Sequence, residues 1–137
     1  MLFRSFGCGV LVAYACLAGV AAAHHSLAAE FDTRKLIHLE GVVSRIDWSN
    51  PHIYVSVDVK EPGGKVATWR LECVPTAMAR KAGITKTQLF GEGGTVQVEA
   101  YPARDGTPQL GYLARISYPD GHHFQFGPAD TLASAGK

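Results

Sequence analysis

Residues 53–60 read Ile-Tyr-Val-Ser-Val-Asp-Val-Lys (IYVSVDVK), and this stretch indicates the fold class most directly. Apolar residues at every second position alternate with polar ones, which is the period of a strand that buries one face. The side chains of Ile53, Val55, Val57 and Val59 would therefore point into a core. The stretch predicts a half-buried β-strand.

The same period recurs along much of the chain. Further strands are predicted at residues 39–48, 67–73, 95–101 and 110–118, with a short final piece at 124–126. In the first of these we expect Val42, Ile46 and Trp48 to share one side, because their spacing is even. The turn residues Pro62-Gly63-Gly64 separate two of the strands and predict a hairpin.

One helical segment interrupts the strands. Residues 76–82 are preceded by Pro75 and followed by Gly83, which are start and stop signals in the right order. Residues 85–88 resemble a capping box for a further turn. The order predicts a mainly β protein. We expect a small closed or partly open barrel of five to six strands resembling the oligonucleotide/oligosaccharide-binding (OB) fold, with one short helix between strands 3 and 4.

The first 23 residues have the pattern of a secretory signal peptide. Arg4 precedes an apolar run from Val10 to Val20, and Ala21-Ala22-Ala23 fits the small-x-small cleavage pattern. The run is shorter than the roughly 20 apolar residues that a membrane span needs. We therefore predict a periplasmic protein, with a cleaved signal peptide at 1–23 and no transmembrane helix in the mature chain. Three further segments are predicted: an N-terminal segment at 24–36, one barrel domain at 37–130 and a flexible tail at 131–137.

Charge and cysteine content narrow the function classes. Cleavage after Ala23 would leave 12 basic and 12 acidic residues, a balance that argues against a nucleic-acid binder. The residues before Cys8 and Cys16 do not fit a lipid-anchor signal. Cys73 would then remain alone, without a disulfide partner. It alternates with Trp69 and Leu71 on an apolar face, where a cysteine is usually a small core residue.

Histidines are the main candidates for chemistry. The chain has six, and all but His38 fall into three groups: His24 with His25, His52, and His122 with His123. Imidazole is the usual side-chain ligand for copper, zinc and nickel. These five residues are therefore candidate metal ligands.

Two copper geometries are open at the predicted mature N-terminus. The amine and ring Nδ1 of His24 could chelate one metal, and a further histidine would complete the three-nitrogen set of a histidine brace. Alternatively, His25 at position two could bind Cu(II) in a square plane through the amine, its own backbone amide and its ring. Both arrangements suit the tetragonal nitrogen geometry of copper. In the other interpretation, both histidines are solvated residues at the end of the leader.

His52 follows Pro51 at the entrance of the strand quoted above. A side chain at this place would project from the barrel rim, with Asn50 or Asp47 as the acceptor for its second ring nitrogen. The competing interpretation is that Asn50-Pro51 begins a turn and that His52 only caps it.

His122 and His123 follow the predicted turn at Asp120-Gly121. Side chains of successive residues in a strand point to opposite faces, so His122 shares a face with Phe124, whereas His123 lies on the other face. One of them could supply a further metal ligand. Alternatively, the pair forms an exposed hairpin tip.

The motifs resemble an exported bacterial family of unknown function. That family begins after its leader with His-His-Ser and Ala-Glu-Phe-Asp, and it carries a Gly-x-Val strand ending in Trp-x-Asn-Pro-His. The matching residues here are His24–Ser26, Ala29–Asp32, Gly41–Val43, Trp48–His52, Trp69–Glu72 and Tyr101–Gly106. The resemblance implies that His24, His25 and His52 belong to one pattern. It carries over no activity, and it does not extend to His122 and His123.

The sequence therefore predicts a periplasmic metal-binding protein, with a copper ion as the cofactor, for sequestration, delivery or sensing. The alternative is a metal-free OB-like module that binds a peptide, a glycan or an envelope protein on an aromatic face formed by Trp48, Tyr54 and Tyr101. A copper-dependent oxidase of the histidine-brace kind is a weaker alternative, because no catalytic motif accompanies the histidines.

Overall fold

The computed structural model describes residues 26–127, which contain six strands and three short helices. The strands are β1 (Ile37–Trp48), β2 (His52–Lys60), β3 (Val66–Pro75), β4 (Val96–Pro102), β5 (Leu110–Ser117) and β6 (His123–Gln125). The helices are α1 (Leu27–Glu30), α2 (Thr76–Lys81) and α3 (Lys86–Phe90). The predictions for residues 1–25 and 128–137, among them the leader, His24, His25 and the tail, lie outside the described residues.

The strands form one sheet in the order β3-β2-β1-β4-β5-β6. An additional parallel pairing joins β3 to β5, so that the first five strands close into a barrel and β6 is added beside β5. The other pairings are antiparallel. Helices α2 and α3 connect β3 to β4, as in an OB-like barrel. The predicted fold class is confirmed.

The alternation in β2 builds the barrel core. Ile53, Val55 and Val57 have no exposed surface, as the sequence predicts. They pack with aliphatic side chains from the other barrel strands, including Leu71 and Val98. Each such burial contributes about 1.5–3 kcal/mol to folding, so the core depends on keeping this register.

Strand β1 departs from the predicted alternation. Its pairing with β2 shifts between Val43 and Arg45, which leaves Ser44 as the extra residue of a β-bulge. The extra residue changes which side chains face inward, so Val43 and Ile46 are buried while Val42 is 44% exposed. The prediction that Val42 shares the inner side with Ile46 is wrong for this reason.

The two helices after β3 lie where the sequence predicts them, although α2 ends at Lys81, one residue before the predicted end. Thr85 Oγ1 accepts from the backbone N–H of Gln88 at 3.2 Å, and the Gln88 side chain accepts from the Thr85 N–H at 2.9 Å, which completes the capping box. Helix α3 ends at Gly91, whose φ is +75°. Tyr118 packs on this glycine and donates its hydroxyl hydrogen bond to the Leu89 carbonyl. Within residues 26–127, no helix is long and apolar enough to cross a membrane.

The segment before β1 is anchored to the barrel. Phe31 is buried against Tyr101 and forms an isolated bridge with Ala103. The backbone N–H of Arg104 donates to the Glu30 carbonyl at 2.8 Å. Helix α1 and the residues that follow it are therefore held beside the end of β4.

Candidate functional site

His52 is paired with a carboxylate from the neighbouring strand. Its Nδ1 lies 2.9 Å from Oε1 of Glu72, and the two side chains are 36% and 13% exposed. An ionised carboxylate cannot donate, so this contact favours the tautomer with the proton on Nδ1 and the lone pair of Nε2 open to a ligand. The carboxylate beside the His52 ring is thus that of Glu72. Asn50 instead accepts from the Thr76 hydroxyl.

Tyr54 fixes the other oxygen of this carboxylate. Its hydroxyl donates to Oε2 of Glu72 at 3.0 Å, and the two residues are direct partners across β2 and β3. Burial and this hydrogen bond raise the pKa of Tyr54, which keeps it a donor. The guanidinium carbon of Arg70 lies 3.6 Å from the centre of the Tyr54 ring, a cation–π contact. We call His52, Tyr54, Arg70 and Glu72 the His52 cluster.

The His52 cluster lines a groove between the barrel and the anchored N-terminal segment. The groove consists of two adjoining cavities of about 400 Å³ and about 490 Å³, which share the residues Glu30, Phe31, Tyr54 and Glu72. The cavity at His52 also includes Leu27, Pro51 and Tyr112. The other one extends to Ala29, Arg70, Ala103, Arg104, Asp105 and Leu110.

The predicted aromatic face is not assembled as one surface. Tyr54 lines both cavities, as a ligand-binding residue would. Trp48 lies at the end of β1 and packs against the main core. Tyr101 has no exposed surface and packs under Phe31, so it belongs to the interior. The aromatic residues that accompany Tyr54 in the groove are Phe31 and Tyr112.

His122 and His123 lie away from this groove. The His122 ring stacks on Tyr118, with centroids 4.2 Å apart and planes 5° from parallel, and its Nδ1 contacts the Asp120 carboxylate. We call these three residues the His122 cluster. His123 is exposed on β6. Within residues 26–127, no three side chains of His, Cys, Asp or Glu are gathered so that they could hold a metal ion by themselves.

The elements described above fall within a stretch shared with other proteins. A family model matches residues 12–111, which takes in both α1 and β1 to β4. The chain belongs to DUF6152, a family of unknown function. Membership of DUF6152 confirms the predicted relation to a domain of unknown function. No curated protein and no solved structure matches the chain.

Cys73 of this DUF6152 protein is a core residue. It is 1% exposed and free, and burial raises the pKa of its thiol to about 12. At neutral pH the thiol is therefore protonated, and the protonated form is not a nucleophile. The interpretation of Cys73 as a small buried residue is confirmed.

Sequence reasoning missed Glu72 and Arg70 as site residues of this DUF6152 chain. The alternation of residues in β3 indicates where both side chains point. They alternate with Leu71 and Cys73 on β3, so they must face away from the core, as His52 and Tyr54 do on β2. The hairpin joining the two strands brings those outward faces together.

Proposed function

We propose that this DUF6152 protein is an exported, periplasmic metal-binding protein that holds copper for sequestration, delivery or sensing. The observation that carries the proposal is the pairing of His52 Nδ1 with Glu72 at 2.9 Å. In metal sites, a ligating histidine usually donates its second ring N–H to a carboxylate, which fixes the tautomer and raises the basicity of the ligand. Glu72 is itself held by Tyr54, so the orientation of His52 is set in advance.

The remaining ligands in this proposal come from the predicted mature N-terminus. Leu27 lines the same cavity as His52. His25 and His24 precede Leu27 in the chain by two and three positions. Cleavage after Ala23 would therefore create a free amine three positions before a residue that lines the His52 cavity.

The donor types favour copper over the other metals that imidazole binds. The amine and ring of His24 with His52 make a histidine brace, whereas the amine, amide and ring of His25 with His52 make a square plane. Both sets consist of nitrogen atoms in tetragonal geometry, which suits Cu(II). A thiolate ligand, which would favour Cu(I) or zinc, is not supplied by Cys73 because its thiol is buried and protonated.

The experiment begins with the exported form purified from the periplasm of cells that express the full chain. Mass spectrometry identifies its first residue, and Cu(II) is then titrated in competition with a chelator while the electron paramagnetic resonance spectrum is recorded. We expect the chain to start at His24 and to give an axial spectrum with nitrogen couplings. A form with an extra methionine before His24 should lose this spectrum.

His52→Ala tests the second half of the site, and His123→Ala is the matched control on exposed β6. Loss of a ligand should weaken copper binding by more than about 100-fold, because loss of an outer-shell partner alone costs 10–100-fold. His123→Ala should bind as the parent does. If the exported protein starts at a residue other than His24, the amine-based site is excluded. If His52→Ala binds copper as tightly as the parent, the proposal is ruled out.

The groove also supports a second candidate, a metal-free binding module. Phe31, Tyr54 and Tyr112 line one cavity, which is the mixed aromatic and polar composition of many ligand sites. This candidate predicts that the copper titration finds no specific site and that ligand binding is lost in Tyr54→Ala but retained in His52→Ala.

A further inference from the structure

The part of the groove away from His52 presents two guanidinium groups with unused donors. Arg70 and Arg104 line the same cavity of about 490 Å³, and both are exposed. Apart from the interaction of Glu30, none of the ion pairs and side-chain hydrogen bonds of residues 26–127 involves either guanidinium. The Arg70 guanidinium lies over the face of the Tyr54 ring, a contact that uses none of its N–H donors.

The carboxylates that line this cavity are already engaged. Glu72 accepts from Tyr54 and pairs with His52. Asp105 accepts from the backbone N–H and the hydroxyl of Thr107 at 2.9 Å and 2.7 Å, and these bonds lower its pKa. Glu30 also has an interaction partner. Each of these carboxylates thus already has a partner, whereas the N–H donors of the two guanidinium groups remain for a ligand.

We propose that this cavity binds a small organic carboxylate with an apolar body. The carboxylate would accept from Arg70 and Arg104, whose planar forks match its two oxygen atoms. The apolar body would lie against Phe31, Ala103 and Leu110, which line the same space. The volume lies within the usual range for small-molecule sites. This inference goes beyond the metal-binding proposal and requires no metal.

The contact between Tyr54 and Arg70 favours Arg70 as a ligand-binding residue. A free arginine side chain loses considerable rotamer freedom when it binds a ligand. The ring holds the Arg70 guanidinium at 3.6 Å before any ligand arrives, so part of that loss has already occurred in folding. Arg70 should therefore contribute at least as much as Arg104.

The test uses phenylacetate as the probe and its neutral amide, phenylacetamide, as the charge control. Each is titrated into metal-free, ¹⁵N-labelled protein at physiological salt while amide signals are followed by NMR. We expect saturable shifts at Arg70, Arg104 and Leu110 with phenylacetate and at least tenfold weaker binding of phenylacetamide. Equal binding of the two probes, or shifts centred elsewhere, overturns the proposal.

Variants separate this site from general charge attraction. Arg70→Gln and Arg104→Gln should each weaken phenylacetate binding at least tenfold, and Arg70→Lys should fall between them and the parent. Arg45→Gln is the control, because Arg45 is an exposed arginine of β1 outside the groove. Equal weakening in Arg45→Gln would refute a specific site. The amide spectra show which variants are folded. If Arg70→Gln does not fold, the result for Arg104→Gln alone decides the test.

His52→Ala distinguishes this site from the metal site. It should weaken phenylacetate binding far less than Arg70→Gln does, because His52 does not line the arginine cavity and is connected to it only through Glu72. A loss in His52→Ala equal to that in Arg70→Gln would place the probe at His52 and contradict the assignment to the arginines. The outcome is independent of copper, since the protein is metal-free throughout.

Discussion

The His52 and His122 clusters share three kinds of group, a histidine, a carboxylate and a tyrosine, and the His52 cluster adds Arg70. In both, the Nδ1 of the histidine meets the carboxylate. In the first, Tyr54 hydrogen-bonds the carboxylate, whereas in the second, Tyr118 stacks on the imidazole. The two regions nevertheless differ in how they are built.

The carboxylate of the His122 cluster is local and that of the His52 cluster is not. Asp120 is two positions from His122, belongs to the same turn and is 68% exposed. Glu72 comes from a neighbouring strand and is 13% exposed. A local pair forms whenever its turn forms, whereas the position of Glu72 depends on the β2–β3 register. We infer that only the His52 cluster is held rigidly enough to set the direction of a ligand atom.

The largest effect we expect is at the base of the His122 cluster. A Cβ atom at Gly91 would lie 2.7 Å from the Tyr118 ring, and φ there is +75°. Gly91→Ala should lower the free energy of unfolding by about 3 kcal/mol, because the backbone at φ +75° and ψ −173° is a conformation that essentially only glycine adopts and because the added Cβ overpacks the ring. Urea denaturation measures this change.

Gly83→Ala is the matched control for that variant. Gly83 also has a φ of +75°, but its Cβ would meet open space. We expect a loss of only about 1 kcal/mol there, from backbone strain alone. Equal losses in the two variants would mean that Tyr118 moves away from Gly91 at no cost, so that this packing does not hold the His122 cluster in place.

The difference between the two clusters is tested by replacing the carboxylate of each, Glu72 or Asp120, with its neutral amide. On the proposed function, Glu72→Gln should weaken copper binding by about 10–100-fold, because the ring of His52 loses its charged partner. Asp120→Asn should leave copper affinity unchanged. Competition titration with a chelator measures both. Comparable losses in the two variants would remove the distinction between the clusters.

The smallest effect concerns the acid side of stability. Hydrogen bonds from the backbone and ring of His122 lower the pKa of Asp120 below its unfolded value of about 3.9. As the pH falls, Asp120 is therefore protonated in the unfolded chain before it is protonated in the folded one. The contact with His122 stabilises the fold above about pH 4, and this stabilisation is lost as the pH falls through the folded pKa of Asp120. The Asp120→Asn variant lacks this pH-dependent stabilisation.

The difference in stability between the parent and Asp120→Asn should therefore shrink as pH is lowered from about 5 to about 2. The change is small because the carboxylate lies at the surface, where solvent screens the interaction. Urea denaturation at several pH values measures it. A difference that stays constant with pH would show that the Asp120–His122 contact does not favour the charged carboxylate.

The features that the sequence predicts correctly are those with local causes. The alternation in Ile53, Val55 and Val57 places them in the core. The capping box at residues 85–88 forms as its own residues require. Both depend on neighbours in the chain, which is why they could be derived before the fold was known.

The features that it misses depend on distant partners. The bulge at Ser44 is defined only against β2, so the inward side of β1 could not be derived from β1 alone. Tyr101 shows the same limit, because alternation separates two faces but does not reveal that Phe31 covers one of them. The partner of His52 required the register of the β2–β3 hairpin.

The parallel pairing of β3 with β5 has a consequence for the order in which this protein folds. It places Arg70 opposite Leu110 and Glu72 opposite Tyr112. The β1–β2–β3 meander has short connections, so it can form as soon as it leaves the ribosome, with His52, Tyr54 and Glu72 in place. Leu110 and Tyr112 arrive later, because β5 follows β1 to β4 in the chain and its parallel pairing with β3 closes the barrel. A ligand that needs both sides of the groove would therefore bind only finished molecules, and by mass action it would draw late intermediates toward closure.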